Sequence, residues 1–203
     1  MIELKRRSRL YAEAPARLLG RVGFTPNALT VIGSLLTASV GLLIAQGWFV
    51  AAGLCLWVFS ATDTLDGALA RATDRVTVFG AFLDSVCDRY AEAAVFFGIV
   101  WWYQSHGSLL GVSLAYVALV GSLMVSYARA RAEGVGLQAA DVGWFQRPER
   151  IIVLGFGLIL GQFLPASLLA CLAILAVLTT VTVLQRVVHV ARSSRYNHPT
   201  TTP

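Results

Sequence analysis

The chain has 203 residues, of which 57% are apolar and only 13% are charged, with a formal net charge of +5. Soluble domains usually carry ~25% charged residues, so this composition excludes an ordinary soluble domain and favours a protein embedded in lipid. The length suits one domain. The three cysteines all lie in apolar segments, and their odd number gives no sign of a disulfide framework.

Residues 1–23 precede the first apolar stretch. Apolar residues such as Leu10, Leu18 and Val22 alternate there with basic residues at roughly helical spacing. This pattern predicts an amphipathic helix lying on anionic lipid; the alternative is a solvated basic tail that only fixes the orientation of the chain. The segment that follows opens the first span, and we expect Asn27 or Thr30 to cap that helix and leave its N–H groups facing a ligand.

Five apolar stretches then follow, and a bilayer span needs ~20 mostly apolar residues. The last stretch is broken in its middle by Gly161, Gln162 and Pro165, so we interpret it as two helices joined by a turn. The sequence thus predicts an all-α integral membrane protein with six transmembrane helices in residues 24–192, and a disordered cytoplasmic tail over 193–203. The stretches are Thr30–Gln46, Trp48–Thr62, Val76–Tyr103, Leu109–Tyr127 and Ile151–Leu184.

The charged residues are distributed unevenly between the connections. No Lys, Arg, Asp or Glu occurs in Gln46–Trp48, Tyr103–Leu109 or Gly161–Pro165, which would lie on one side of the membrane. All 16 basic residues lie on the other side or in helix ends near it. Because positive residues mark the cytoplasmic face, we expect a multi-pass protein of the cell membrane with both termini and the active site cytoplasmic.

Four aspartates occur in two pairs beside these apolar stretches. Asp63 and Asp66 are three residues apart, and Asp84 and Asp88 are four apart, so each pair shares a helix face. Acids are rare in membrane spans, because inserting one at the bilayer centre costs a free energy of roughly 2.5–3.5 kcal/mol. The short linker makes the two helices antiparallel neighbours, so the acidic faces can meet near the cytoplasmic surface.

Four converging carboxylates repel one another unless they are neutralised. Carboxylate oxygens suit Mg²⁺ or Mn²⁺, and four of them can hold two ions that clamp a phosphoryl displacement. Protonated acids, or arginine partners such as Arg71 and Arg89, are the alternative. Arg71 shares a helix face with Gly67, where it could bind phosphate oxygens while the glycine permits close approach of a ligand.

The residues from Asp63 to Asp88 resemble the signature of the CDP-alcohol phosphotransferase family. Eight specified positions across 26 residues match it: Asp63, Asp66, Gly67, Ala70, Arg71, Gly80, Asp84 and Asp88. The resemblance implies that Asp63 and Asp84 bridge two divalent cations, that Asp66 binds one of them, and that Asp88 binds the other and acts as the base. It implies a homodimer, and it implies contacts to a CDP-linked lipid from Asn27, Ala28, Leu29, Thr30, Gly67, Arg71 and Thr77.

Three further arginines suggest the acceptor. Arg129 ends the fourth span, and span lengths bring Arg150 and Arg186 to the same face, where three guanidinium groups near the acidic cluster could bind a dianionic phosphate. They resemble the basic residues of the branch that uses inositol phosphate, although Arg129 stands where that branch commonly has Lys. The alternative is that they only snorkel to the interface.

The resemblance therefore implies transfer of the phosphatidyl group of CDP-diacylglycerol to inositol 1-phosphate, giving phosphatidylinositol phosphate and CMP. The main rival acceptor is glycerol 3-phosphate. Two more distant alternatives are a transporter with intramembrane carboxylates and a membrane prenyltransferase that uses Asp pairs and Mg²⁺. The expected partners are the two substrates and membrane lipids, not nucleic acid.

Overall fold

The computed structural model describes residues 23–137 and 142–196. These residues form helices and connections with no strand among them, which confirms the predicted all-α class. The chain divides into two compact units, with the boundary between Trp102 and Tyr103. The described parts contain seven helices: α1 (Pro26–Ala45), α2 (Phe49–Ser60), α3 (Thr62–Ala72), α4 (Val78–Ser105), α5 (Leu109–Gly134), α6 (Arg147–Gly161) and α7 (Pro165–Tyr196).

Within the described residues, four stretches are long and apolar enough to cross a membrane: Pro26–Ala45, Phe49–Ala72, Leu109–Gly134 and Pro165–Ser193. The second of them runs through both α2 and α3. Helix α4 is long enough at 28 residues, but it carries the charged residues Asp84, Asp88, Arg89 and Glu92. Helix α6 has only 15 residues, roughly 22 Å at 1.5 Å per residue, which is short for a hydrocarbon core of ~30 Å. The predicted count of six spans therefore stays a prediction.

Helix α1 begins one residue after Thr25, not at Asn27 or Thr30. The Thr25 side chain accepts a hydrogen bond from the Ala28 N–H at 3.2 Å, so the expectation that Asn27 or Thr30 caps the helix was wrong. The physical reason is Pro26, whose fixed φ and missing N–H suit the first helical position. The residue before it is therefore the N-cap, and the Asn27 and Thr30 side chains are left for other contacts.

Close helix packing in the first unit depends on small residues. Helix α1 packs on α2 and α3, and its Gly41 lies against the backbone of Ala94 and Gly98 in α4. A Cβ atom on Gly98 would overlap the Gly41 carbonyl oxygen. Small residues that let backbones approach are typical of helix contacts in membranes. This contact holds α4, which carries Asp84 and Asp88, next to α1.

In the second unit, α5 and α6 each pack on α7. Leu168, Leu172 and Leu175 of α7 are almost fully buried. Gly121 of α5 lies against Thr179, and Gly157 of α6 lies against Cys171. Helix α7 thus forms the centre of this unit, and it carries Arg186 in its last third.

Two predicted segments lie largely outside the described residues. The amphipathic helix was predicted for residues 1–23, of which only Gly23 is described. The disordered tail was predicted for 193–203, whereas α7 continues to Tyr196 and residues 197–203 lie beyond the described part. Both segments stay predictions.

Candidate active site

A cavity of about 210 Å³ lies in the first unit, between the start of α1, helix α3 and the start of α4. Most of the residues predicted to bind the CDP-linked lipid line it. Leu29 does not, because its side chain is buried in an apolar cluster with Ala68 and Leu69. Ala28 does not line the cavity either. The predicted lipid-binding residues that do are Asn27, Thr30, Gly67, Arg71 and Thr77, and the predicted metal ligands Asp66 and Asp84 line the cavity as well.

The first aspartate pair lies on its own short helix. Helix α2 ends at Ser60 and α3 begins at Thr62, after the single turn residue Ala61, so Asp63 and Asp66 lie in the first half of α3. The side chain of Asp63 is outside the described part of the structure. Asp66 is buried, with 6% of its surface exposed, although it lines the cavity.

Both carboxylate oxygens of Asp66 accept hydrogen bonds. The Thr30 hydroxyl donates to Oδ2 at 2.5 Å, and the Gly67 N–H donates to Oδ1 at 2.5 Å. Hydrogen bonds to an ionised carboxylate are among the stronger ones in proteins. The orientation of this carboxylate is therefore fixed from α1 as well as from α3.

The second aspartate pair lies one turn apart on α4. Asp84 is half-buried and lines the cavity. Asp88 is buried, with 6% of its surface exposed, and its Oδ2 lies 4.0 Å from an Nη atom of Arg89. The helix thus presents one carboxylate to the cavity and holds a second one a turn deeper.

The cavity also contains two cationic side chains. A Cβ atom on Gly67 would lie 3.3 Å from a guanidinium nitrogen of Arg71, so this guanidinium lies over the glycine. Arg75 lines the cavity as well, whereas the sequence pattern places it only among the 16 basic residues of the cytoplasmic side. Its position two residues before Thr77, a predicted lipid-binding residue, is the feature of the sequence that could have indicated that it lines the cavity.

The turn between α3 and α4 shapes the floor of the cavity. Arg75 N–H bonds back to the Ala70 carbonyl at 2.8 Å, and Asp74 has a positive φ of 52°. The Thr77 hydroxyl then accepts from the Gly80 N–H at 2.9 Å and caps α4. A Cβ atom on Gly80 would lie 3.1 Å from Asn27 Oδ1, so the glycine leaves room for the Asn27 amide.

The donor atoms around the cavity fit a hard divalent cation. Asp66 and Asp84 both present carboxylates to it, and such oxygens are the ligands that Mg²⁺ and Mn²⁺ prefer. Among the described side chains, a set that omits Asp63, no three potential ligands come together in a metal-binding group. The fit therefore depends on the chemistry of the donor set in this cavity.

The three arginines predicted to bind the acceptor phosphate lie in the second unit. Arg186 is buried and within electrostatic range of both Arg129 and Arg150. Arg150 is also buried, in the first turn of α6, whereas Arg129 is exposed and pairs with Glu133 at 2.9 Å. The structure thus places the three charges near one another, and their binding of an acceptor phosphate stays a prediction.

Arg186 also makes hydrogen bonds to the backbone that the sequence did not predict. Its Nε donates to the Val142 carbonyl at 2.9 Å, and its Nη1 donates to the Val125 carbonyl of α5. Next to it, the Gln185 side chain accepts from the Trp144 N–H at 3.3 Å. These two residues of α7 hold the segment that leads into α6, and hence the start of the helix that carries Arg150.

The whole helical region matches one family. Residues 24–194 match the model of the CDP-alcohol phosphatidyltransferases. The chain belongs to this family, which confirms the resemblance drawn from the aspartate signature, and it is accordingly a membrane-embedded transferase of the kind that makes phospholipids.

Individual relatives are narrower in activity. The phosphatidylinositol phosphate synthase of Mycobacteroides abscessus is 41% identical over 183 residues, covering 88% of this chain and 82% of the relative. That of Corynebacterium glutamicum is 38% identical over 193 residues, covering 92% and 86%. The archaetidylinositol phosphate synthase of Pyrococcus horikoshii is 42% identical over 142 residues, covering 70% and 73%.

Solved structures are similar as well. The crystal structure of Mycobacterium tuberculosis phosphatidylinositol phosphate synthase with CDP-DAG bound matches with a TM-score of 0.82 at 38% identity, covering 88% of this chain and 92% of that one. The same enzyme in complex with manganese and citrate matches with a TM-score of 0.82 at 37% identity, covering 89% and 88%.

Proposed function

We propose that this chain transfers the phosphatidyl group of CDP-diacylglycerol to inositol 1-phosphate, producing phosphatidylinositol phosphate and CMP. The observation that carries the proposal is the cavity that gathers Asp66, Gly67, Arg71 and Asp84 around one space. The relatives that match over most of the chain are named synthases of phosphatidylinositol phosphate or its archaeal counterpart, which supports the choice of acceptor.

The cavity suits the head of the donor lipid. Arg71 lies over Gly67, so a phosphate group can approach the α3 backbone and the guanidinium together. Arg75 adds a second positive charge at the same cavity. Asn27 and Thr77 supply polar atoms at its opposite wall, where α1 and α4 begin. We assign the cytidine diphosphate group of the donor to this space.

Asp63, Asp66, Asp84 and Asp88 would hold two divalent cations, which when bound would neutralise charge on the pyrophosphate and on the departing CMP. Asp88 acts as the base: its carboxylate takes the proton of an inositol hydroxyl as that oxygen forms a bond to the β-phosphorus. The bond from this phosphorus to the CMP oxygen breaks at the same centre. Positioning and electrostatics supply most of the rate in such transfers.

We assign the phosphate of the acceptor to Arg129, Arg150 and Arg186. A dianionic phosphate would offset the mutual repulsion of three grouped guanidinium groups. This assignment predicts that the acceptor must carry its own phosphate. Two of the three arginines are buried, and the acceptor phosphate would add to the compensation that a buried charge needs.

We further propose that the chain crosses the membrane six times, with both termini and the active site on the cytoplasmic side. The uneven distribution of basic residues between the connections supports this orientation. In this arrangement residues 1–23 lie on the lipid surface, and the enzyme works as a homodimer, as the family resemblance implies.

The decisive experiment is an acceptor panel with purified enzyme, CDP-diacylglycerol and Mg²⁺, in which CMP release is measured. We expect turnover with inositol 1-phosphate and none with free inositol or serine. A preference for glycerol 3-phosphate would replace the proposed acceptor and leave the family chemistry intact. In the same assay, excess chelator should abolish turnover and added Mn²⁺ should restore it; turnover that survives chelation would contradict the metal-dependent mechanism.

A further inference from the structure

Thr30 lines the cavity, and its hydroxyl also contacts a buried aspartate of α3. Thr30 lies in the second turn of α1 with 8% of its surface exposed, and its Oγ1 lies 2.5 Å from Asp66 Oδ2 on α3. The same Oγ1 lies 3.1 Å from the Pro26 carbonyl, one turn earlier in its own helix. Two buried side chains, 36 residues apart in sequence, are thus joined by a short hydrogen bond.

The hydroxyl has one proton and two candidate acceptors. The carboxylate oxygen is closer by 0.6 Å than the carbonyl, and an ionised acceptor forms the stronger bond. Thr30 therefore donates mainly to Asp66. Because the Gly67 N–H holds the other oxygen, one donor fixes each side of this carboxylate and its plane cannot rotate freely.

We propose that Thr30 is a positioning residue for the metal centre, which aims the lone pairs of Asp66 into the cavity. This inference rests on the proposed function, because it takes Asp66 to be a metal ligand. Ligating carboxylates usually need such hydrogen bonds, and loss of one typically costs 10–100-fold in metal affinity or activity. The proposal assigns the Thr30 hydroxyl to the metal ligand and not to the nucleotide.

Thr30 can do this because the start of α1 is fixed. The Thr25 cap and Pro26 define the first turn, and the Thr30 side chain follows on the face that meets α3. Gly33, one turn further along that face, lies against the Thr62 side chain at the start of α3. The two helices are thus also in contact one turn beyond the Thr30–Asp66 hydrogen bond along α1.

The test compares Thr30→Val, which keeps the shape and removes the donor, with Thr30→Ser, which keeps the donor. Thr37→Val is the matched control, because Thr37 is buried two turns further along the same helix. Mn²⁺ binding to the purified proteins without substrate is measured from the electron paramagnetic resonance signal of free Mn²⁺. We expect Thr30→Val to weaken Mn²⁺ binding by about 10–100-fold, and Thr30→Ser and Thr37→Val to bind like the unsubstituted enzyme.

Kinetics separate the two roles of Thr30. At saturating Mn²⁺ the KM for CDP-diacylglycerol should stay unchanged in Thr30→Val, while the Mn²⁺ concentration for half-maximal activity rises. A raised KM for CDP-diacylglycerol with unchanged Mn²⁺ binding would overturn the inference. It would show that the Thr30 hydroxyl contacts the nucleotide and does not position the metal ligand. Should Thr30→Val not fold, Thr30→Ala against Thr30→Ser gives the same comparison. Two other results would contradict the proposed function itself. They are an unsubstituted enzyme that binds no Mn²⁺ and an Asp66→Asn variant that keeps its activity.

Discussion

At the scale of single residues, we expect the chemistry to depend on Asp88, the proposed base. It is buried beside Arg89, one turn of α4 from a carboxylate that lines the cavity. The position keeps it away from bulk water, and its Oδ2 lies 4.0 Å from an Nη atom of Arg89. A carboxylate of this kind can take a proton from a hydroxyl only in the anionic state.

Asp88→Asn should therefore lower the rate of CMP release by about 10²–10⁴-fold, the usual contribution of a general base. Asn keeps the size of the side chain, so the unfolding temperature should change little. Asp74→Asn is the matched control, because this exposed residue in the α3–α4 turn has a positive φ that Asn tolerates. If Asp88→Asn retained most of the activity, Asp88 would not be the base.

Arg150 gives the cleaner test of the acceptor site, because Arg186 also hydrogen-bonds two backbone carbonyls. Arg150→Gln should raise the KM for inositol 1-phosphate about tenfold or more, since a hydrogen bond to a charged group contributes ~1.5–3 kcal/mol. The KM for CDP-diacylglycerol should stay nearly constant. Arg131→Gln, an exposed basic residue at the end of α5, should leave both values unchanged. Equal effects of Arg150→Gln on both substrates would exclude a separate phosphate pocket.

At the scale of helices, the contact between α1 and α4 has no room for a side chain. A Cβ atom on Gly98 would overlap the Gly41 backbone, which cannot move aside as a flexible side chain could. Gly98→Ala should destabilise the protein by about 1–3 kcal/mol, measured by thermal unfolding in detergent. Gly134→Ala is the control, because nothing lies within 4 Å of its Cβ position. Equal stability of the two variants would show that the helices are not in close contact at Gly98.

The length of the apolar stretches predicted the all-α class, and the aspartate spacing with the short linker predicted that Asp66 and Asp84 lie near each other. Both predictions depend only on local patterns in the sequence. The bond from Thr30 to Asp66 and the bonds from Gln185 and Arg186 to the α5–α6 connection join residues 36 to 44 positions apart. No local pattern encodes such pairings. The N-cap at Thr25 could have been predicted from the sequence, because a proline at the first helical position identifies the residue before it as the N-cap.

At the scale of the whole molecule, the distribution of charge determines how the chain lies in the membrane. The connection between α4 and α5 carries no Lys, Arg, Asp or Glu, whereas the end of α5 carries Arg129 and Arg131. Each basic residue in a short connection favours retention on the cytoplasmic side. The two ends of α5 should therefore lie on opposite sides of the membrane.

Single cysteines introduced at these two ends test this orientation. The three native cysteines are first replaced by alanine, and His106→Cys or Gly134→Cys is then added at an exposed position. In intact cells a membrane-impermeant maleimide should label His106→Cys and not Gly134→Cys, and in inside-out vesicles the pattern should reverse. Both variants should keep their synthase activity, because neither residue lines the cavity. Labelling of Gly134→Cys from outside would contradict this orientation. It would place the arginines at the end of α5 on the outer face of the membrane, where they could not bind a cytoplasmic phosphorylated alcohol.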